Sequence, residues 1–172
     1  VNDLILQAMR EYIAESGISV YDEQTHQGLL RHILTKVGFE TGDVMVCLVV
    51  NGTKIPKKDL LIEKLCKIPG LTGIVLNTNC EKTNVILGRK QKILWGQGFI
   101  TDFIGEIKYQ ISPLSFFQVN PYQTKLLYEK ALEFSGVTKE MSVLDIYCGI
   151  GTISLFFAPH VKKVFGVEIV EE

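Results

Sequence analysis

The chain has 172 residues, 47% hydrophobic and 22% charged, with a formal net charge of -1. That is enough for one ordinary domain or two small ones with real cores, and too apolar for a disordered chain. Near-neutral charge gives no chain-wide footprint for nucleic acid, so any RNA-binding role must rest on local features.

Asp3, Arg10 and Glu11 interrupt the apolar positions at the N-terminus, unlike a signal peptide, and no apolar run reaches bilayer length. A soluble cytoplasmic protein without a membrane partner is the expectation. Leu4, Ile5, Ala8, Met9, Tyr12 and Ile13 recur at helical spacing and Gly17 follows as a stop, which predicts an amphipathic helix capped by Asn2 or Asp3. Strand character follows at 18–21, 29–37 and 44–51, separated by turn-like stretches at 22–28 and 38–43. Residues 56–68 read as a second helix, with Pro56 in its first turn and Pro69-Gly70 ending it. Further strands are predicted at 71–77, 85–87, 92–96 and 104–111. Two helices among several strands joined by short turns describe an α+β domain over residues 1–111, its sheet carrying helices on one face.

Ser112-Pro113 punctuates the chain and the pattern changes. A helix is predicted over 121–135, with Pro121 in first position, an apolar side of Leu126, Leu127, Ala131, Leu132 and Phe134, and Gly136 closing it. Residues 141–148 form a continuous apolar run of the kind buried on both faces of a parallel sheet. A tight turn at 149–151, a helix over 152–159 and a second buried strand at 163–169 complete a βαβ unit. The class is α/β overall: an α+β domain, then over residues 112–172 the first βαβ portion of a Rossmann-like domain. One βαβ unit covers neither face nor edge of its sheet, so an excerpt of a longer domain is expected.

The four cysteines, Cys47, Cys66, Cys80 and Cys148, include no C-x-x-C pair and fit no zinc template, so no metal is expected. Cys47 lies in an apolar strand and Cys66 on the apolar side of a helix, which predicts reduced, buried thiols.

The chemistry concentrates in D-I-Y-C-G-I-G-T, residues 145–152. A strand delivers the chain to a turn with Gly149 and Gly151, where the backbone must turn sharply and approach a ligand without a Cβ in the way. Glu168 ends the second strand at the spacing where a carboxylate meets ribose hydroxyls. A dinucleotide fingerprint needs a third glycine, and Ser154 stands there instead. Asp145 would repel a pyrophosphate but suits a ligand with a positive centre, such as S-adenosylmethionine. Many glycine turns bind nothing, and the pattern D-x-x-C-G-x-G-T followed by G-V-E is what raises this one above them.

The string D-I-Y-C-G-I-G-T-I-S-L, preceded by S-P-L-S-F-F-Q-V-N-P, resembles the bacterial RNA uracil-5-methyltransferases, the ribosomal-RNA branch more than the transfer-RNA branch. The likeness is specific over 111–168, about a third of the chain. It is looser before that, where the Tyr21-Asp22-Glu23 segment and Gly28-Leu29-Leu30-Arg31-His32 look like the family's central domain. The resemblance implies S-adenosylmethionine as cofactor and RNA as partner, ribosomal RNA before transfer RNA. It places Gln118 in the cofactor set close to the target base, Tyr147 and Thr152 on the cofactor pocket and Glu168 on the ribose. It puts Phe116 where an extruded uracil could stack. Each residue also has an ordinary alternative. Phe117 could fill a core, Gln118 or Asn120 could cap the following helix, and Tyr147 could be a core aromatic. Arg31-His32 could be a solvated strand edge, and His26 and His160 read as turn or surface residues.

Methylation of uracil at carbon 5 requires a thiolate to add to the neighbouring ring carbon and a base to remove the ring proton afterwards. The resemblance puts both groups on motifs downstream of G-V-E, and none of those motifs occurs here. No catalytic residue is therefore assigned; Cys148, inside the cofactor loop, is expected to be structural, and the excerpt to be inactive alone. A nicotinamide-dependent oxidoreductase fragment and a non-catalytic RNA-binding module are the alternative readings.

Overall fold

The computed structural model describes residues 1–169; residues 170–172, the end of the second expected domain, lie outside them. The chain divides into two compact units, Val1–Gly38 with Gly42–Ile100, and Phe39–Thr41 with the residues from Thr101 onward. The turn Phe39–Thr41 joins the second unit because the buried Asp102 carboxylate accepts from the Phe39 and Glu40 amides, both at 3.0 Å. Thr41 Oγ1 adds a bond to the Thr101 carbonyl at 2.6 Å.

In the first unit, α1 (Asn2–Ser16) precedes β1 (Leu30–Val37) and β2 (Val44–Val50), then α2 (Lys58–Leu65), β3 (Leu71–Thr78) and β4 (Lys90–Gly96). The sheet order is β1-β2-β3-β4, antiparallel at both edges and parallel between β2 and β3, which α2 connects. Ile5, Met9 and Tyr12 of α1 and Leu61 and Leu65 of α2 pack on Val44, Val46, Leu48 and Val50, alternate residues that share one sheet face. Tyr12 keeps its hydroxyl satisfied by donating to the Pro56 carbonyl at 2.6 Å.

Several expectations are corrected. Neither Asn2 nor Asp3 caps α1: Val1 occupies that position, while Asn2 lies inside the helix and accepts from Thr35 Oγ1. Gly17 does end the helix, in the left-handed conformation at φ 70°. Cys66 is exposed, because α2 buries the Leu61–Leu65 stripe and the next residue turns about 100° away from it. Residues 18–21 contribute one isolated bridge, Val20 to Leu30, rather than a strand. Residues 85–87 form no strand either, since the buried Asn79 side chain captures the carbonyls of Val85 and Ile86 at 2.7 and 3.0 Å.

In the second unit, the single strand expected over 104–111 is a hairpin of β5 (Ile100–Ile104) and β6 (Ile107–Ile111), broken at Gly105 with φ 62°. Helix α3 (Pro121–Ser135) has its predicted bounds and is capped by Asn120, whose Oδ1 accepts from the Gln123 amide at 3.1 Å. Its buried face is Pro121, Thr124 and Tyr128; Leu126, Leu127 and Phe134 are exposed, contrary to expectation. Tyr128 decides the orientation by packing edge-on against Phe156 at 5.6 Å. Then β7 (Ser142–Asp145), α4 (Thr152–Phe157), a 3-10 turn (Ala158–His160) and β8 (Lys163–Gly166) make the expected βαβ unit, with β7 and β8 parallel. The two strands are shorter than predicted and half-exposed rather than buried on both faces, since each pairs only with the other.

Candidate functional site

The turn after β7 is built by backbone demand. Gly149 and Gly151 both sit at positive φ, 51° and 81°, where a side chain would be strained. The Gly151 amide donates to the Cys148 carbonyl at 2.8 Å, and Gly151 then serves as N-cap of α4. The turn is stitched to the chain after β8: Val167 N donates to Asp145 O at 2.8 Å and Cys148 N to Val167 O at 3.1 Å.

Two carboxylates flank this turn. Asp145 Oδ2 accepts from Ser154 Oγ at 2.6 Å, and its Oδ1 accepts from the Tyr147 amide at 3.3 Å. Glu168 Oε2 accepts from the Gly149 amide at 2.9 Å and Oε1 from the Ile169 amide at 2.8 Å. Asp145, Gly149, Gly151 and Glu168, which spacing alone singles out, therefore meet within one hydrogen-bonded turn. Ser154 stands out in the sequence only as a missing glycine; the signal of its role is an acid nine residues upstream, within reach of a hydroxyl one turn into a helix. Asp145 and Ser154, with Val143, Leu144, Ile153 and Phe157, line a cavity of about 190 Å³. A larger cavity of about 460 Å³ beside the first turn of α3, lined by Glu40, Phe103, Tyr122 and Lys125 among others, contains none of the expected site residues.

Thr152 is held from two sides. Tyr109 OH donates to its carbonyl at 3.2 Å, and Tyr128 OH shares a hydrogen bond with its Oγ1 at 2.8 Å. Burial, and secondarily the charge of Tyr128, push the Tyr109 phenol up to about 12, so it stays a donor at neutral pH. Nothing in the sequence singles out either tyrosine. Tyr109 also receives the Phe117 ring at 5.7 Å, so Phe117 is a packing residue and ties the S-F-F-Q segment to Thr152 through one side chain. Phe116 is 73% exposed and Gln118 half-buried. Tyr147 is 85% exposed, so it is not a core aromatic.

The cysteines separate clearly. Burial pushes the Cys47 thiol up to about 12. Cys148 is half-buried, and a Cβ added to Gly166 would lie 2.9 Å from its Sγ, so the thiol fills the space a side chain at 166 would need. Among the described residues, no cluster of three or more His, Cys, Asp or Glu could hold a metal ion, and no helix is long and apolar enough to cross a membrane.

The family described as tRNA (uracil-5-)-methyltransferase matches residues 18–172. A protein named as an uncharacterised RNA methyltransferase of Halalkalibacterium halodurans is 51% identical over 99% of this chain, which spans 38% of that relative. Another of that name from Oceanobacillus iheyensis is 49% identical over 98% of the chain and 37% of its own length. Among solved structures, the tRNA (uracil-54, C5)-methyltransferase of Pyrococcus abyssi, in complex with S-adenosyl-L-homocysteine, superposes with a TM-score of 0.76 at 28% identity. That match covers 96% of this chain and 39% of the solved one.

Proposed function

We propose that this chain, which belongs to the tRNA (uracil-5-)-methyltransferase family, forms the cofactor side of an S-adenosylmethionine-dependent enzyme that methylates carbon 5 of a uridine in RNA. The observation that carries the reading is the pair of carboxylates, Asp145 and Glu168, hydrogen-bonded around a positive-φ glycine turn. Acceptors fit a ligand with ribose hydroxyls at one end and cationic ammonium and sulfonium groups at the other. They oppose a pyrophosphate, which leaves a nicotinamide dinucleotide as the poorer fit.

S-adenosylmethionine supplies an electrophilic methyl group when bound. Glu168 holds the ribose, having exchanged the Gly149 amide for hydroxyl donors. Asp145, its outer oxygen tied by Ser154, presents negative charge along the turn. Tyr147 and Thr152 line the pocket with Gly149 and Gly151. Phe116 offers an exposed ring for an unstacked base, and Gln118 belongs to the cofactor set, close to the target base. Residues 1–111 act as the central domain and 112–172 as the start of the methyltransferase domain. The solved relative's name specifies transfer RNA; the S-F-F-Q-V-N-P and D-I-Y-C-G-I-G-T strings favour ribosomal RNA, met in the cytoplasm. The thiolate and base come from outside this chain. Cys47 is buried and held protonated, and Cys148 is packed against Gly166, so neither reaches a base.

Calorimetric titration of the whole protein tests the reading. S-adenosylhomocysteine binds, NAD does not, and Glu168→Ala weakens binding by about ten- to hundredfold, as loss of charged hydrogen bonds worth about 1.5–3 kcal/mol requires. In the same protein Cys148→Ala keeps the covalent RNA adduct, and methyl groups enter ribosomal RNA that lacks 5-methyluridine. Binding of NAD in preference to S-adenosylhomocysteine, or loss of the adduct in Cys148→Ala, overturns it.

A further inference from the structure

One stretch of the first unit stands apart from the cofactor turn in charge and in construction. Residues 82–92 carry Lys82, Arg89, Lys90 and Lys92 and no acidic residue. These four belong to a chain with 18 basic and 19 acidic residues, so the remainder, 14 against 19, is acidic. All four side chains are exposed, and none forms an ion pair among the described residues. By contrast Lys64, Lys67, Lys125 and Lys130 each have a carboxylate within 4 Å. The strip thus gathers four cations within eleven residues, uncompensated by any acid of its own.

The strip is also rigidly mounted. Residues 79–89 form no strand, yet three side chains from the unit's interior hold their backbone. Asn77, fully buried, exchanges two hydrogen bonds with Gly88, both at 2.7 Å. Asn79 holds the carbonyls of Val85 and Ile86. The Arg31 guanidinium, its side chain 1% exposed, donates to the carbonyls of Asn79, Glu81 and Thr83 at 3.0, 2.8 and 3.3 Å and stacks on the Tyr21 ring at 4.4 Å. Buried polar side chains whose hydrogen bonds are met by a loop's backbone hold that irregular loop in one shape. What that shape presents is Lys82 on the loop, the exposed Val85 and Ile86, and then Arg89, Lys90 and Lys92 leading into the edge strand β4. An edge strand guarded against pairing needs only a lysine or two; it does not need a pinned loop in front of it.

We propose that residues 82–92 are an RNA-docking element that engages the phosphate backbone of the substrate. The inference rests on the RNA reading above and adds to it the surface of the first unit that RNA contacts. Each cation replaces a condensed counterion on the RNA, so the strip contributes affinity and salt dependence without reading bases. Its fixed geometry lowers the ordering cost of that contact.

The experiment uses the whole protein and two probes, a ribosomal RNA stem–loop transcript and unfractionated transfer RNA. Binding is measured over a salt series for wild type and for the combined Lys82→Gln, Arg89→Gln, Lys90→Gln, Lys92→Gln variant. The variant is expected to bind at least roughly tenfold more weakly near physiological salt, and its slope of log affinity against log salt is expected to shrink by about 2–4, near one for each phosphate no longer neutralised. S-adenosylhomocysteine affinity stays at the wild-type value. Single variants Lys82→Gln and Lys90→Gln, each lowering the slope by about one, guard against a misfolded combined variant. Unchanged RNA affinity, or weaker binding with an unchanged slope, overturns the docking element while leaving the methyltransferase reading intact. If wild type itself binds S-adenosylhomocysteine but no RNA, the RNA reading falls and the docking element falls with it.

Discussion

The two parallel strand pairs among the described residues are built from similar residues and live in different surroundings. Strands β2 and β3, V-M-V-C-L-V-V and L-T-G-I-V-L-N-T, lie between β1 and β4 with two helices over one face, and every residue of β2 is buried. Strands β7 and β8 form a sheet of two, and Leu144 at 62% exposure, Phe165 and the adjoining Ile146 and Val167 face outward. Burial is therefore a property supplied by neighbours, not by the apolar run itself. What holds the second pair in place is a set of specific hydrogen bonds: the Val167 amide to the Asp145 carbonyl, the Cys148 amide to the Val167 carbonyl, and Ser154 Oγ and the Gly149 amide to the two carboxylates. In the first unit the apolar core sets stability, and in the second the polar turn sets shape.

The sharpest way to break that comparison is to remove the same atoms from each. Leu48→Ala, at a fully buried position, is expected to destabilise the protein by about 2–5 kcal/mol, through the forfeited transfer energy and the cavity left behind. Leu144→Ala is expected to change stability by no more than about 0.5 kcal/mol. Urea unfolding followed by tryptophan fluorescence, which reports Trp95 of β4, and by circular dichroism measures both. Similar losses at the two sites would mean that the β7–β8 sheet is covered in solution.

A smaller effect tests the polar side of the contrast. Ser154→Ala removes the 2.6 Å bond to Asp145 Oδ2 and leaves the backbone stitching untouched. At about 1 kcal/mol for one hydrogen bond, the urea midpoint should fall by a correspondingly small amount, and the loosened Asp145 should lower S-adenosylhomocysteine affinity by up to roughly fivefold. An unchanged affinity would show that the orientation of Asp145 does not matter to the ligand.

The contrast also explains what the residues reveal when read in order. Helix α3 is legible to both ends because its signals are local: Pro121 in first position, a capping Asn120, and Gly136 free to adopt positive φ. The glycine turn is legible because positive φ favours glycine, and its two acids because of their spacing from it. The run Val85-Ile86-Leu87 misleads because its carbonyls go to the side chain of Asn79, a partner no periodicity reveals. The buried face of α3 is not legible, because Tyr128 and Thr124 turn inward and Tyr128 meets α4, an arrangement made across the fold. Cys66 shows the same lesson in miniature, since one residue of helix length decides whether it faces core or solvent.

The smallest effect lies on the surface of the first unit, where charge adds to the packing that joins α1 and α2. Lys64 Nζ reaches Glu15 Oε1 at 2.8 Å and Glu11 Oε2 at 3.0 Å, and both acids are half-exposed. The hydrogen bond from Lys64 holds the Glu11 carboxyl below its ordinary 4.5, so its contribution is present above that value and lost as pH falls through the lowered one. Hydrogen bonds to Glu15, then Glu11, raise the Lys64 ammonium above its ordinary 10.5, so its contribution is complete below that value and lost as pH rises through the raised one. The difference in melting temperature between wild type and Lys64→Met is therefore expected to be flat between those two limits and to close outside them. Solvent screening keeps it small, and about 1 M salt should shrink it further. A difference that survives well below the carboxylate range would assign it to the packed stem of Lys64, whose side chain is 12% exposed, and not to its charge.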